Sequence, residues 1–357
     1  MTPGIASLAS ANGLWLYPPP SIDPTGAPFG SLGRAPYDRP RSLIDPAPGE
    51  RDGLAAALAA ITNLTAGHGV STGGVGGGAA LPVVLSEFNS GLRTGCCHDD
   101  PFAAAYLVYT LGQVQRYASR GVASLMYWCF SDVFEEQRPV AANAARPPFH
   151  NGFGLQTMDG IKKPSFRALE LLAAFPNATL PVTRTVSGGS GDGDGPRHLT
   201  DHIDAYAGVG QTGDPRGSPG SSGTNVSVMV SSWSPTLLPG TGMNGSSIHD
   251  SSLLPVVDQQ VALEVLFPSV VPISGPAATC TATITWVPDP KAVWRSMGSP
   301  TTLTAVQLRQ LELAAALAPS PIGCTVVDDP AGKVGGTIAR VLVRMPGQTA
   351  ATVSIVF

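Results

Sequence analysis

Leu81-Pro-Val-Val-Leu-Ser-Glu87-Phe-Asn89 and, after a helical stretch, Val122-Ala-Ser-Leu-Met-Tyr127-Trp128-Cys-Phe-Ser-Asp132 decide how this chain folds. Leu81–Leu85 is a short continuous apolar run, which suits a parallel strand buried on both faces. Val122–Phe130 reads as a second such strand. Between them Asp99 or Asp100 can cap a helix, and Pro101 fits its first position, where a missing N–H costs nothing. Phe102, Tyr106, Leu107, Tyr109 and Val114 supply an apolar helical face up to Ser119-Arg120-Gly121, where glycine ends it. Ser165–Phe175 predicts another amphipathic helix. Strand, helix, strand, helix in that order implies a parallel sheet with crossover helices.

Outward from this core the pattern thins. Residues 1–50 are mostly turn-forming, with Pro18-Pro19-Pro20, and Gly13–Tyr17 is a candidate strand. Residues 51–66 read as a helix with Leu54, Leu58 and Ile61 on one face. Gly69–Gly78 reads as a flexible insert. Beyond Pro176, residues 181–224 are rich in Gly, Ser, Asp and Pro and are expected to form a disordered loop. Short strands are then expected at Val226–Trp233, Val261–Phe267, Ala278–Val287, Ala339–Met345 and Ala351–Phe357, with a helix at Ala305–Leu317. That pattern predicts a β-sandwich over 225–357.

The 357 residues suffice for two domains. Only 13% are charged, about half of a usual share of about 25%. The 42 glycines and 34 prolines point to many loops or inserts. A net charge of −4 without a basic run argues against nucleic acid as a partner. No apolar run reaches the roughly eighteen residues of a membrane span. The five cysteines lack metal-ligand spacing. Cys280 and Cys324 lie in candidate strands, where they either pair or remain as inert thiols. Met1–Gly13 lacks a basic n-region followed by a long apolar stretch and does not read as a signal peptide, while glycosylation sequons at Asn63, Asn177, Asn225 and Asn244 point to a secreted form.

Glu87 closes the first apolar run. In a β/α barrel the C-terminal strand ends face the active site, so a carboxylate there suits catalysis as well as plain exposure. Trp128 closes the second run, where an aromatic face can stack on a sugar ring or fill a core. Asp132, Glu135 and Glu136 form an acidic cluster that can accept from sugar hydroxyls or simply face water.

Taken together, these runs resemble glycoside hydrolase family 39, and within it the β-xylosidases. The matching elements are Ser86-Glu87-Phe88-Asn89-Ser90, His98-Asp99 with Phe102 to Tyr106, and Tyr127 to Glu136 with only Cys129 differing. Phe149 to Leu155 also match, with Asn151 where the family has glycine, as do Ile161-Lys162-Lys163-Pro164 and, more diffusely, Trp294 to Pro300. The resemblance implies the last three or so strands of a (β/α)8 TIM barrel in residues 1–180, then the loop 181–224 and the β-sandwich 225–357.

It further implies a retaining O-glycosyl hydrolase acting on a β-xyloside or related oligosaccharide, without metal or other cofactor. Glu87 is then the nucleophile. Asn89, Trp128, Asp132, Glu135, Glu136 and, by a weaker alignment, Tyr17 are substrate-binding, with a cis bond between Trp128 and Cys129. The family's acid/base glutamate follows an asparagine, and this sequence has no Asn-Glu pair. The expectation is therefore a fragment that lacks the first barrel half and its acid/base, and is inactive alone. Two other readings stand beside it: a non-catalytic carbohydrate-binding or interaction protein, and an α-L-iduronidase-like glycosidase. Oligomeric state is not legible.

Overall fold

The computed structural model describes residues 83–89, 97–117, 122–134, 146–183, 203–212, 223–233, 259–267, 279–328 and 337–357. The candidate strand at 13–17, the helix at 51–66 and the insert at 69–78 lie outside them.

Strand β1 (Val83–Phe88) pairs in parallel with β2 (Val122–Tyr127), Val83 opposite Val122 and Phe88 opposite Tyr127. Helix α1 (Pro101–Tyr117) crosses between them. A turn of 3-10 helix (Asp132–Phe134) follows β2, and α2 (Pro164–Ala173) begins directly at a proline, as its fixed φ favours. The strand–helix–strand–helix order expected from the sequence is therefore present. Among the described residues the parallel sheet has two strands.

The remaining strands form two antiparallel sheets. One has six strands in the order β3 (Ala178–Leu180), β4 (Ile203–Thr212), β5 (Gly223–Ser232), β11 (Thr349–Val356), β7 (Thr281–Trp286) and β8 (Pro319–Ile322). The other has β6 (Gln259–Phe267), β10 (Thr337–Met345) and β9 (Cys324–Asp328). Period-two alternation places Val226, Val228 and Val230 of β5, and Ala351, Val353 and Ile355 of β11, on one face. They share a core with Ala339, Val341, Val343 and Met345 of β10. The five short strands expected after residue 225 are all present to within a few residues. Helix α4 (Ala305–Ala314) starts at Thr304 with a reciprocal cap involving Gln307.

Two expectations change. Residues 181–224 are not one loop, because Ile203–Thr212 is a ten-residue strand paired along its length with β5. Its Asp, Gly and Gln residues masked the pattern. Nor does a boundary at 180 separate two cores. The opposite face of the six-stranded sheet, through Met229 and Ala350, packs with Trp233 and Val287 against Ala104–Tyr109 of α1 and Ala168 of α2. Tyr109 stacks on Trp233 at 4.8 Å between ring centroids. Gly208 admits Phe175 at this junction, since a Cβ there would lie 2.8 Å from its ring.

Cys280 and Cys324 are joined in a disulfide, with Cα atoms 5.8 Å apart and a sequence separation of 44. It ties the entry to β7 to the start of β9, and so one sheet to the other. Closing a loop of that length restrains the unfolded chain by about 4 kcal/mol in the chain-entropy picture. Replacing both cysteines with serine should lower the urea midpoint by the equivalent of a few kcal/mol. Reductant should destabilise the parent chain to the same level and leave the variant unchanged.

Candidate active site

Because β1 and β2 run parallel, their C-terminal ends share one edge. Glu87 is the penultimate residue of β1, and Trp128 immediately follows β2. Glu87 is placed here by its backbone. Trp128 is half-buried, and Phe130, two residues on, is 59% exposed. The Trp128–Cys129 peptide bond is cis.

Asn89 ties these ends together. It is buried, and its amide nitrogen donates to the carbonyl oxygens of Trp128 and Phe153, the latter at 3.0 Å. Two carbonyl acceptors fix the orientation of the amide, so its oxygen must accept. The Tyr127 hydroxyl donates to it at 2.9 Å. His98 Nδ1 lies 3.1 Å from the same oxygen and therefore carries its proton there. His98 is fully buried and meets the Phe153 ring edge-on at 4.9 Å. Burial pushes the Tyr127 phenol up to about 12, which keeps it a donor.

Behind this hub lies a cluster of buried charge. Lys163, at the entrance of α2, has no exposed side-chain surface. Its ammonium contacts Asp99 at 2.6 Å, Asp132 at 2.7 Å and the Gly152 carbonyl oxygen at 3.0 Å. Asp99 also accepts from the Asn151 backbone N–H at 2.5 Å, and Asp132 from that of Gly154 at 2.8 Å. Next to them Lys291, on α3 (Pro290–Ser296), donates to Asp100 and to the Asn151 side-chain oxygen, each at 2.9 Å. Arg295 lies 3.9 Å from Asp100. Three carboxylates thus meet three cations.

Burial alone would raise Asp99, but Lys163 and Lys291 outweigh it and hold its carboxyl below the usual range. For Asp132 burial prevails, seconded by the Asp99 charge, and pushes it up to about 6 against the pull of Lys163. Lys163 is held above its ordinary value, because Asp99 and Asp132 overcome its desolvation.

Two backbone positions fit this arrangement. Asn151 has φ 58°, a left-handed conformation that asparagine tolerates better than most residues. Its side chain adds the bond to Lys291 that a glycine would lack. A Cβ on Gly154 would lie 2.2 Å from the Asp132 nitrogen, so only glycine fits where residues 153–156 lie against 129–132.

The structure thus gathers Glu87 (by backbone), Asn89, Trp128 and Asp132 at one strand edge. Tyr17, Glu135 and Glu136 lie outside the described residues. Asn89 and Asp132, expected to touch sugar, have buried polar groups engaged within the protein. Asp132 is 1% exposed and bound by Lys163 and Gly154, so its acidic-loop setting gave a misleading picture of a solvent-facing carboxylate. The sequence reading assigned no role to Lys163, His98 or Lys291. Lys163 was visible as the second lysine of the Lys162-Lys163-Pro164 match, but a buried charge leaves no periodic signal. Asp99 and Asp100 were read as helix caps, and both carry lysine partners.

Residues 77–190 match the sequence profile of Glycosyl hydrolases family 39. Over that segment the chain is similar to family 39 glycosidases and to β-xylosidases among them. A β-xylosidase of Caldicellulosiruptor saccharolyticus is 38% identical over 93 residues, which is 26% of this chain and 17% of that relative. One of Geobacillus stearothermophilus is 35% identical over 96 residues, 27% of this chain and 17% of the relative. A crystal structure of a monomeric β-xylosidase from Caulobacter crescentus CB15 superposes with a TM-score of 0.52 at 20% identity. It covers 85% of this chain, while the chain covers 50% of it, and the likeness is one of fold. The matched segment, 77–190, holds every buried charge named above except Lys291 on α3.

Replacing Lys163 with methionine leaves two buried carboxylates without their cation and should cost about 3–5 kcal/mol in chemical denaturation at pH 7. The pH profile of the parent has defined signs. Asp99, with its lowered folded value, contributes stability that is lost as pH falls below about 4. Asp132 acts oppositely, and its contribution declines as pH rises from about 4 to 6. Lys163, raised, contributes below 10.5 and loses that contribution at higher pH. The alkaline decline should be missing in the methionine variant. Gly154→Ala should cost about 3 kcal/mol by overpacking alone, read as a lowered melting temperature.

Proposed function

We propose that the chain carries the nucleophile side of a retaining β-xylosidase-type glycoside hydrolase, with Glu87 as the nucleophile. One observation carries the reading. The parallel pairing of β1 and β2 brings the Glu87 backbone and Trp128 to the same C-terminal edge, and Asn89 bonds that edge to the Trp128 peptide. Strand C-termini are where β/α enzymes place their reacting groups.

The chemistry follows from a glutamate and a tryptophan carried at the same strand edge. The Glu87 carboxylate attacks the anomeric carbon, a C–O bond forms, and the bond to the leaving oxygen breaks. Water then attacks the same carbon and releases Glu87. A retaining enzyme needs a second carboxyl about 5–5.5 Å away to protonate the leaving oxygen. No Asn-Glu pair of the family type is present in this sequence to supply it. Trp128 would stack on the sugar ring, with Glu135 and Glu136 as acceptors for its hydroxyls. The partial TIM barrel belongs to the same proposal.

An activated leaving group separates the two roles, because a dinitrophenolate departs without a proton. Incubation of the full chain with 2,4-dinitrophenyl 2-deoxy-2-fluoro-β-xyloside should modify the peptide containing Glu87. Glu87→Gln should abolish the modification while the melting temperature stays within a few degrees. Modification elsewhere, or none in the folded parent, would overturn the assignment. Xyloside binding without modification would instead favour a carbohydrate-binding role centred on Trp128.

A further inference from the structure

Two of the four sequons fall among the described residues, and the fold treats them oppositely. Asn177 follows Pro176 at the bend leading into β3, and it is exposed. Thr179, whose hydroxyl completes the sequon, is also exposed, on a three-residue strand at the edge of the six-stranded sheet. Asn225 lies inside β5, between Gly210 of β4 and Val356 of β11. Its side-chain oxygen is buried, and Val226 and Ser227 beside it are buried. A glycan at Asn177 projects into solvent, whereas Asn225 is half-buried between two paired strands with its side-chain oxygen enclosed, which leaves little room for one.

A second, independent observation concerns compartment. Cys280 and Cys324 form a disulfide between the two sheets. Disulfides persist in oxidising compartments, where the glycosylation machinery of secreted proteins also operates. We infer that Asn177 is an N-glycosylation acceptor on a chain that matures in an oxidising, glycosylating compartment, and that Asn225 is not an acceptor.

The donor is a lipid-pyrophosphate-linked oligosaccharide. The Asn177 amide nitrogen loses a proton and bonds to the sugar's anomeric carbon, and the bond from that carbon to pyrophosphate breaks. The glycan also stands beside β3, which has no strand on its outer side among the described residues, and a bulky solvated group there discourages edge-to-edge association.

The inference stands apart from any catalytic role of Glu87 and is tested on the protein isolated from its own cells. Enzymatic removal of N-glycans in heavy-oxygen water should convert Asn177, and not Asn225, to labelled aspartate in peptide maps. Non-reducing maps should show the peptides of Cys280 and Cys324 joined. For chain secreted from cultured eukaryotic cells, Asn177→Gln and Thr179→Ala should each remove one glycan increment on gels, and Ser227→Ala none. An unmodified Asn177 in the native protein, a modified Asn225, or free thiols at Cys280 and Cys324 would overturn the inference.

Discussion

A lysine with no exposed surface constrains everything around it. Taking the Lys163 ammonium out of water costs several kcal/mol, and its attraction to Asp99 and Asp132 offsets that only when the geometry is close. The geometry here requires three separate segments to arrive together: the entry of α1 with Asp99, the turn after β2 with Asp132, and the loop at Gly152. A sheet register one residue out would leave the charge uncompensated. Such a cluster contributes less to net stability than to the exclusion of alternative packings, because each wrong arrangement strands a buried ion.

From that charge a short chain of bonds reaches the strand ends. Asp132 fixes the Gly154 N–H and Asp99 fixes that of Asn151, so the segment between them cannot drift. Phe153 lies in that segment, and its carbonyl takes one of the two Asn89 donors. Asn89 stands two residues beyond Glu87. The orientation of the β1 terminus is therefore set by buried groups that reach it only through the 151–154 segment. Support of this kind is what a reacting carboxylate needs if it is to be held to a fraction of an ångström. Burial raises the Asp132 carboxyl, the neighbouring Asp99 charge adds to it, and the shared Lys163 ammonium offsets this only in part.

Much of this was legible in the sequence, and the parts that were not share a physical cause. Continuous apolar runs announced β1 and β2, and the short strands expected after residue 225 correspond to β5, β6, β7, β10 and β11, because burial of apolar faces leaves its mark on the chain. Strand β4 was missed because its glycines and polar residues dilute the period, although Ala207 and Val209 still face the sandwich core. Glu87 and Trp128 stood out by position at strand ends. The Lys163 cluster did not, since ionic pairing across 31 or 191 residues leaves no local trace. Asp132 misled for the same reason. An acidic residue near two others looks solvated in a linear reading, and only the fold shows a lysine beneath it.

The same long-range pairing explains why the two parts of the chain do not divide at residue 180. Helix α1 presents Ala104–Tyr109 to the outer face of the six-stranded sheet, while the residues before it, Asp99 and Asp100, hold Lys163 and Lys291. Lys291 belongs to a helix that follows β7 of that sheet. A second packing contact runs parallel to it, the Phe149 ring lying 5.6 Å from Trp294 of the same helix, with Ile161 and Leu311 closing the cluster. Loosening α3 would therefore release Asp100 and Asn151 together, and with them one wall of the Asn89 hub. The β-sandwich is a buttress for the strand ends, and the geometry of the candidate active site depends on both.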